Sequence, residues 1–218
     1  MSKIGTADIK SIMLGSTEIV KAYLGSDIVY QNAVPAPEGY EWCEYIENTS
    51  TAYIDTGIKP NGDTVAIADI NISEAHNYLY GARNGTSVAC YMVSNTGTKP
   101  IFRYNTGQGQ GSVTNPLIGR HKVETRKNVL LMDGVQILSR TKATFSTDNT
   151  LYIYAYNGGS IVGNYHSKYK LYSFFIDNGD DSRDYRPIKR LSDNKYGLWD
   201  KVHQTFNVSP NGVDFVGG

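Results

Sequence analysis

The sequence is poor in cysteine, proline and tryptophan, with two, seven and two among 218 residues. Cys43 and Cys90 are too few for the disulfide lattice of a small secreted fold. Neither has the CxxC spacing or nearby histidine of a structural zinc site. Buried thiols are the expected state, with a single Cys43–Cys90 bridge as the alternative. Charge of one sign is also missing, since 21 Lys and Arg balance 21 Asp and Glu. Duplex binding needs a basic face, so nucleic acid is not an expected partner. No run approaches the ~20 apolar residues that span a bilayer, which argues against membrane insertion. The first residues, Met1 to Gly5, lack the apolar core of a signal peptide. Export by the common secretory route is therefore not expected, although virion components are made in the cytoplasm and freed by lysis. Helical periodicity is absent throughout.

What is abundant is tyrosine and glycine, 17 and 22 residues. Aromatic and β-branched residues suit a pleated, half-buried surface, and glycine with asparagine supplies turns. The chain reads as all-β. Its first thirty residues hold a short repeat: Leu14-Gly15-Ser16-Thr17-Glu18-Ile19-Val20 is echoed by Leu24-Gly25-Ser26-Asp27-Ile28-Val29-Tyr30. With Ile9 and Ile12 these predict a three- or four-stranded meander over residues 1–32, too small to be stable alone. An attachment or oligomerisation module is the corresponding expectation. Residues 33–39, with Pro35 and Pro37, read as a stiff linker. From residue 40 to 218 short strands alternate with turn signals, the pattern of one large sandwich. Tyr40 to Glu47 reads as a single strand. Ala66, Ala68, Ile70 and Ile72 share one face of another. Asp133-Gly134 between two apolar runs predicts a type I′ hairpin. The terminal Val213 to Val216 is expected to return and pair near the first strand.

Eight motifs run in one order: Glu44-Tyr45-Ile46-Glu47, Tyr53-Ile54-Asp55-Thr56-Gly57, Tyr80-Gly81-Ala82-Arg83, His121-Lys122-Val123-Glu124, Met132-Asp133-Gly134, Leu151 to Asn157, Arg183-Asp184-Tyr185-Arg186-Pro187 and Tyr196-Gly197-Leu198-Trp199-Asp200. This series resembles the concanavalin A-like, laminin G-like domains of tail and fibre proteins from phages and prophages of gut bacteria. The resemblance implies a jelly roll of two curved antiparallel sheets over residues 40–218. It implies a non-catalytic virion protein that binds host-surface glycan, with residues 1–32 joining it to other virion proteins. By analogy with fibres it also implies a homo-oligomer, a trimer above all. A head-fibre or capsid decoration protein without a ligand is the first alternative, and a bacterial polysaccharide-binding module or weak hydrolase the second.

The residues themselves offer little catalytic chemistry. Glycoside hydrolysis needs two carboxylates roughly 5–9 Å apart. Glu41 and Glu47 share a strand face but stand about 20 Å apart at strand rise, and Glu44 points the other way. His76, His121, His166 and His203 have no nucleophile motif around them. Asp177-Asn178-Gly179-Asp180-Asp181 could begin a calcium site, but a polar hairpin turn is the competing explanation, and no cofactor is expected. Gly107-Gln108-Gly109-Gln110-Gly111 lacks the lysine of a phosphate loop. Tyrosine abundance favours binding, because rings stack on the C–H face of a sugar while polar groups take its edge. The candidate glycan surface is Tyr80, Arg83, Tyr91 and Tyr104, with Tyr156 and Asn157 beside it.

Overall fold

The computed structural model describes six short strands between residues 3 and 31, and then residues 35–74, 77–85, 88–95, 99–110, 117–159 and 167–218. Ile9, the Gly15-Ser16 and Gly25-Ser26 turns, Asn32 to Val34, His76, Gly111 and His166 lie outside the described residues. Two compact units are present, Met1–Glu38 and Gly39–Gly218. All regular secondary structure among the described residues is strand.

In the first unit, β1 (Lys3–Ile4) pairs with β2 (Ala7–Asp8), β3 (Ile12–Leu14) with β4 (Thr17–Ile19), and β5 (Lys21–Leu24) with β6 (Asp27–Gln31), all antiparallel. Among the described residues these form three two-stranded sheets rather than the single meander expected. One residue joins β4 to β5, and an antiparallel reversal needs at least two.

The second unit comprises β7 (Tyr40–Trp42), β8 (Ile46–Glu47), β9 (Ile54–Asp55), β10 (Val65–Ile72), β11 (Asn77–Asn84), β12 (Val88–Asn95), β13 (Pro100–Tyr104), β14 (Gly107–Gln110), β15 (Gly119–Arg126), β16 (Val129–Met132), β17 (Val135–Ser139), β18 (Tyr152–Ile153), β19 (Tyr156–Asn157), β20 (Tyr169–Asp177), β21 (Ser182–Arg190), β22 (Tyr196–Asp200), β23 (Thr205–Asn207) and β24 (Val216–Gly217). The larger sheet runs β17-β16-β15-β10-β20-β21-β22-β23, and the smaller runs β14-β13-β12-β11-β18-β9 with β19 beside β11. Together they form a β-sandwich.

Tyr40 to Glu47 is not one strand. β7 pairs with the C-terminal half of β21, whereas β8 pairs with the N-terminal half of β20 and with β24. At the break, Cys43 N–H donates to the Pro187 carbonyl and Glu44 N–H to the Gly218 carbonyl. The C-terminal strand thus returns to the start of the sandwich, as its apolar pattern predicts. Both cysteines are free thiols, Cys43 half-buried and Cys90 buried, so the bridge is not formed. Asp133 and Gly134 both take positive φ, 51° and 80°, the requirement of a type I′ turn.

The core lies between the sheets. β10 contributes Ala66, Ala68, Ile70 and Ile72 by strict alternation, and β20 contributes Tyr169, Leu171, Phe174 and Ile176. Facing them are Tyr80 and Ala82 of β11, Tyr91 and Val93 of β12, and Phe102 and Tyr104 of β13. Tyrosine in such a place needs a partner for each hydroxyl. Thr125 of β15 provides one: its Oγ1 lies 3.1 Å from the Tyr80 hydroxyl and 2.7 Å from that of Tyr91, and it donates to the Ala66 carbonyl. Tyr91 has a second acceptor in the Thr64 carbonyl at 2.9 Å, whereas Thr125 is the one side-chain hydrogen-bond partner of the Tyr80 hydroxyl among the described residues. Thr125→Val should therefore leave a fully buried phenol unpaired and cost about 1–3 kcal/mol. Thr125→Ser, which keeps the hydroxyl, should cost less. Urea midpoints of the two variants check the difference.

Candidate functional site: an aromatic and cationic face on the larger sheet

The expected tyrosine surface does not form. Tyr80, Tyr91 and Tyr104 are at most 2 % exposed and belong to the core. Burial pushes the Tyr80 and Tyr91 phenols well above their ordinary range, and the Tyr104 hydroxyl donates to the Gly62 carbonyl at 2.7 Å. Such rings cannot stack on a ligand. Arg83 stands on the opposite, outer face of the same sheet. It meets Tyr156 there, with the guanidinium 4.8 Å from the ring centroid and Nη2 3.4 Å from the hydroxyl. Tyr156 and Asn157 are 4 % and 7 % exposed. Asn157 is turned to structure, accepting from Gly159 N–H and donating to Thr150. Of the six residues, Arg83 alone offers more than marginal surface.

The half-buried aromatic residues gather elsewhere, on the outer face of the larger sheet. Register places Trp42 opposite Ile188, Tyr40 opposite Arg190, and Trp199 opposite both Arg186 and Phe206. The Tyr40 ring reaches across to lie 5.4 Å from Trp199 and 5.2 Å from Phe206, centroid to centroid. Gly197 makes room for this, because a Cβ there would fall 2.7 Å from the Phe206 ring and 2.3 Å from the Asn207 carbonyl oxygen. Ile188, fully buried, forms the floor. Cations cover the rings: Arg186 lies 4.6 Å from the Trp42 ring and Arg190 4.9 Å from Phe206. Arg190 is steered by a bidentate bond to Asp193, 3.0 and 2.7 Å, which holds the Asp193 carboxyl down at about 2. Elsewhere on this sheet's outer side, Arg120 sits 3.7 Å over Tyr172 and Lys170 4.0 Å over Tyr45. Tyr40, Trp42, Trp199 and Phe206 are each half-buried, with Arg186 exposed above them. Flat rings beside forked N–H donors are the pairing that a sugar's apolar face and hydroxyl edge require.

The remaining polar clusters are structural in geometry. Glu41 and Glu47 fall on two different strands, and Glu44 lies between them, 3.9 Å from Arg120. His203 bonds Asp200 at 2.9 Å, and its other described partners are Asp181 and Arg183, so no serine, threonine or cysteine is paired with it among the described residues. The Asp177 to Asp181 segment is a turn in which Asp177 caps Gly179 N–H and Asn178 caps both Asp180 and Asp181. The Asp181 carboxylate is taken by Arg183 at 2.7 Å. Among the described residues no group of three or more His, Cys, Asp or Glu converges as a metal site. No protein-family model matches the chain, and no curated protein matches it either.

Proposed function

We propose that the sandwich is the concanavalin A-like, laminin G-like jelly roll its motifs resemble, and that the chain is a non-catalytic, fibre- or tail-associated virion protein that binds host-surface glycan. Residues 1–32 join it to the particle and to its own copies, as a trimer. One observation carries the binding role: four half-buried rings, including both tryptophans of the chain, share one outer face with Arg186 and Arg190. Weak single contacts of this kind gain strongly from repetition in an oligomer.

Because both tryptophans lie on this face, the whole indole emission reports on it. Purified full-length protein should bind a subset of a bacterial glycan array, and the matching soluble saccharide should shift that emission saturably. Tyr40→Ala and Arg186→Ala retain both reporters. Each should weaken binding about tenfold, the equivalent of the ~1.5 kcal/mol typical of a hydrogen bond to a charged group. Array hits without an emission change, or unaltered affinity in both variants, would move the site off this face. A blank array from correctly assembled protein would leave the decoration role.

A further inference from the structure

We infer that the outer face of the smaller sheet is a separate oxyanion site, clasped between Arg83 and Arg103. Arg83 of β11 stands opposite Cys90 of β12, and Arg103 of β13 stands opposite Met92 of β12. β11 and β13 flank β12, so about 10 Å separates their backbones, a gap two arginine side chains can close from either side. Both point away from the core, since their sequence neighbours Ala82, Phe102 and Tyr104 point into it. Both Nε atoms are buried and have no hydrogen-bond partner among the described residues. Arg83 has the Tyr156 hydroxyl as its hydrogen-bond partner, and neither guanidinium pairs with a carboxylate among the described residues.

The sequence explains why. Between Glu74 and Glu124 there is no aspartate or glutamate at all, so β11, β12, β13 and β14 bring no acid of their own. Cys90, which lies between the two arginines, cannot substitute. Burial pushes its thiol up to about 11 even against their charge, so it is neutral at physiological pH. Half-buried cations above a floor of buried Met92 and Tyr156 are poorly solvated and lack a counter-charge. An oxyanion accepting from both forks supplies it with the geometry guanidinium favours. The ligand chemistry is therefore a carboxylate or sulfate group, carried by an acidic saccharide or present as the free inorganic ion. This site and the aromatic face lie on different sheets, and neither depends on the other.

Full-length protein at low ionic strength, titrated with sodium glucuronate, sodium sulfate and neutral glucose, tests this through the arginine Nε–H resonances. Two of those resonances should shift saturably with one or both anions and not with glucose. Arg83→Gln and Arg103→Gln should each weaken the effect at least tenfold, while Tyr40→Ala leaves it unchanged. Tighter binding of glucuronate than of sulfate at matched ionic strength identifies an acidic saccharide as the ligand. The reverse order identifies the free ion. No saturable shift in the wild-type protein with either anion, an equal response to glucose, or full affinity in folded glutamine variants would overturn the site. If a variant does not fold, the wild-type titration alone decides.

Discussion

Arg183→Met is expected to lower the unfolding free energy by about 3–5 kcal/mol, the usual loss when one member of a buried ion pair is removed. The reason is Asp200, 1 % exposed at the end of β22. Its carboxylate accepts from the Asp184 and Val202 amides at 3.3 and 3.0 Å, from His203 at 2.9 Å, and lies 3.4 Å from Arg183 Nε. The same guanidinium spans outward to Asp181 at 2.7 Å and to the Ser182 carbonyl at 2.9 Å. Methionine keeps the volume of the stem and removes the guanidinium from Asp200, Asp181 and the Ser182 carbonyl, leaving Asp200 only the two amides and His203. The double variant Arg183→Met/Asp200→Leu should recover much of the loss, because no charge is then left uncompensated. Equal instability of the single and double variants, measured by urea unfolding, would refute this account.

A pH dependence follows with a definite sign. The bond from Arg183 holds the Asp181 carboxyl below its ordinary value, as Arg190 does for Asp193. A carboxyl depressed in the folded state contributes stability that is complete above its unfolded value and is lost as pH falls through the folded one. Acid titration followed by circular dichroism should therefore show unfolding at higher pH in Arg183→Met than in the wild type. The limb governed by Asp193 should stay in place.

Local alternation made much of the fold legible. β10 could be read residue by residue because Ala66, Ala68, Ile70 and Ile72 sit two apart on one buried face. The Asp133-Gly134 turn was legible because few residue pairs tolerate positive φ twice. The break between β7 and β8 was not. Its cause is a pair of carbonyls, on Pro187 and Gly218, far along the chain, and no local pattern encodes a distant acceptor. The separation of the N-terminal hairpins was half legible. The repeat shows the strands, but the single residue between β4 and β5 matters only once the boundaries are known.

The site was read less well, for a reason present in the sequence itself. Tyr80 and Arg83 are three apart and so point to opposite faces of a strand, as do the neighbours Arg103 and Tyr104. Period-two bookkeeping alone separates the core tyrosines from the outward arginines of β11 and β13. The aromatic face is a different matter. Tyr40 and Trp42 are visibly two apart, but their meeting with Trp199 and Phe206 depends on β7 and β22 lying on either side of β21. That order is a long-range property. Abundance drew attention to seventeen tyrosines, whereas the exposed face is marked by the two scarce tryptophans.

Tyr154→Ala is expected to cost about 3–5 kcal/mol, as large-to-small changes at buried aromatic positions do, and Tyr154→Phe about 1–3 kcal/mol. Tyr154 lies between β18 and β19 with no exposed surface and a φ of 70°, a backbone conformation unusual for a bulky residue. It is held there from both sides: its N–H donates to the Leu79 carbonyl, and its carbonyl accepts from Ser167. The ring stacks on Tyr169 at 4.3 Å and meets Phe215 at 5.3 Å, and the hydroxyl donates to the Ile46 carbonyl at 2.8 Å. One side chain thereby ties the smaller sheet to β8, to β20 and to the C-terminal segment that closes the sandwich. Truncation should do more than open a cavity. With Phe215 unsupported, β24 should loosen from β8, so amide exchange at Val216 and Gly217 should rise in Tyr154→Ala well beyond the change in Tyr154→Phe. Uniform exchange across the sandwich in both variants would mean that the ring fills space without anchoring the chain's end.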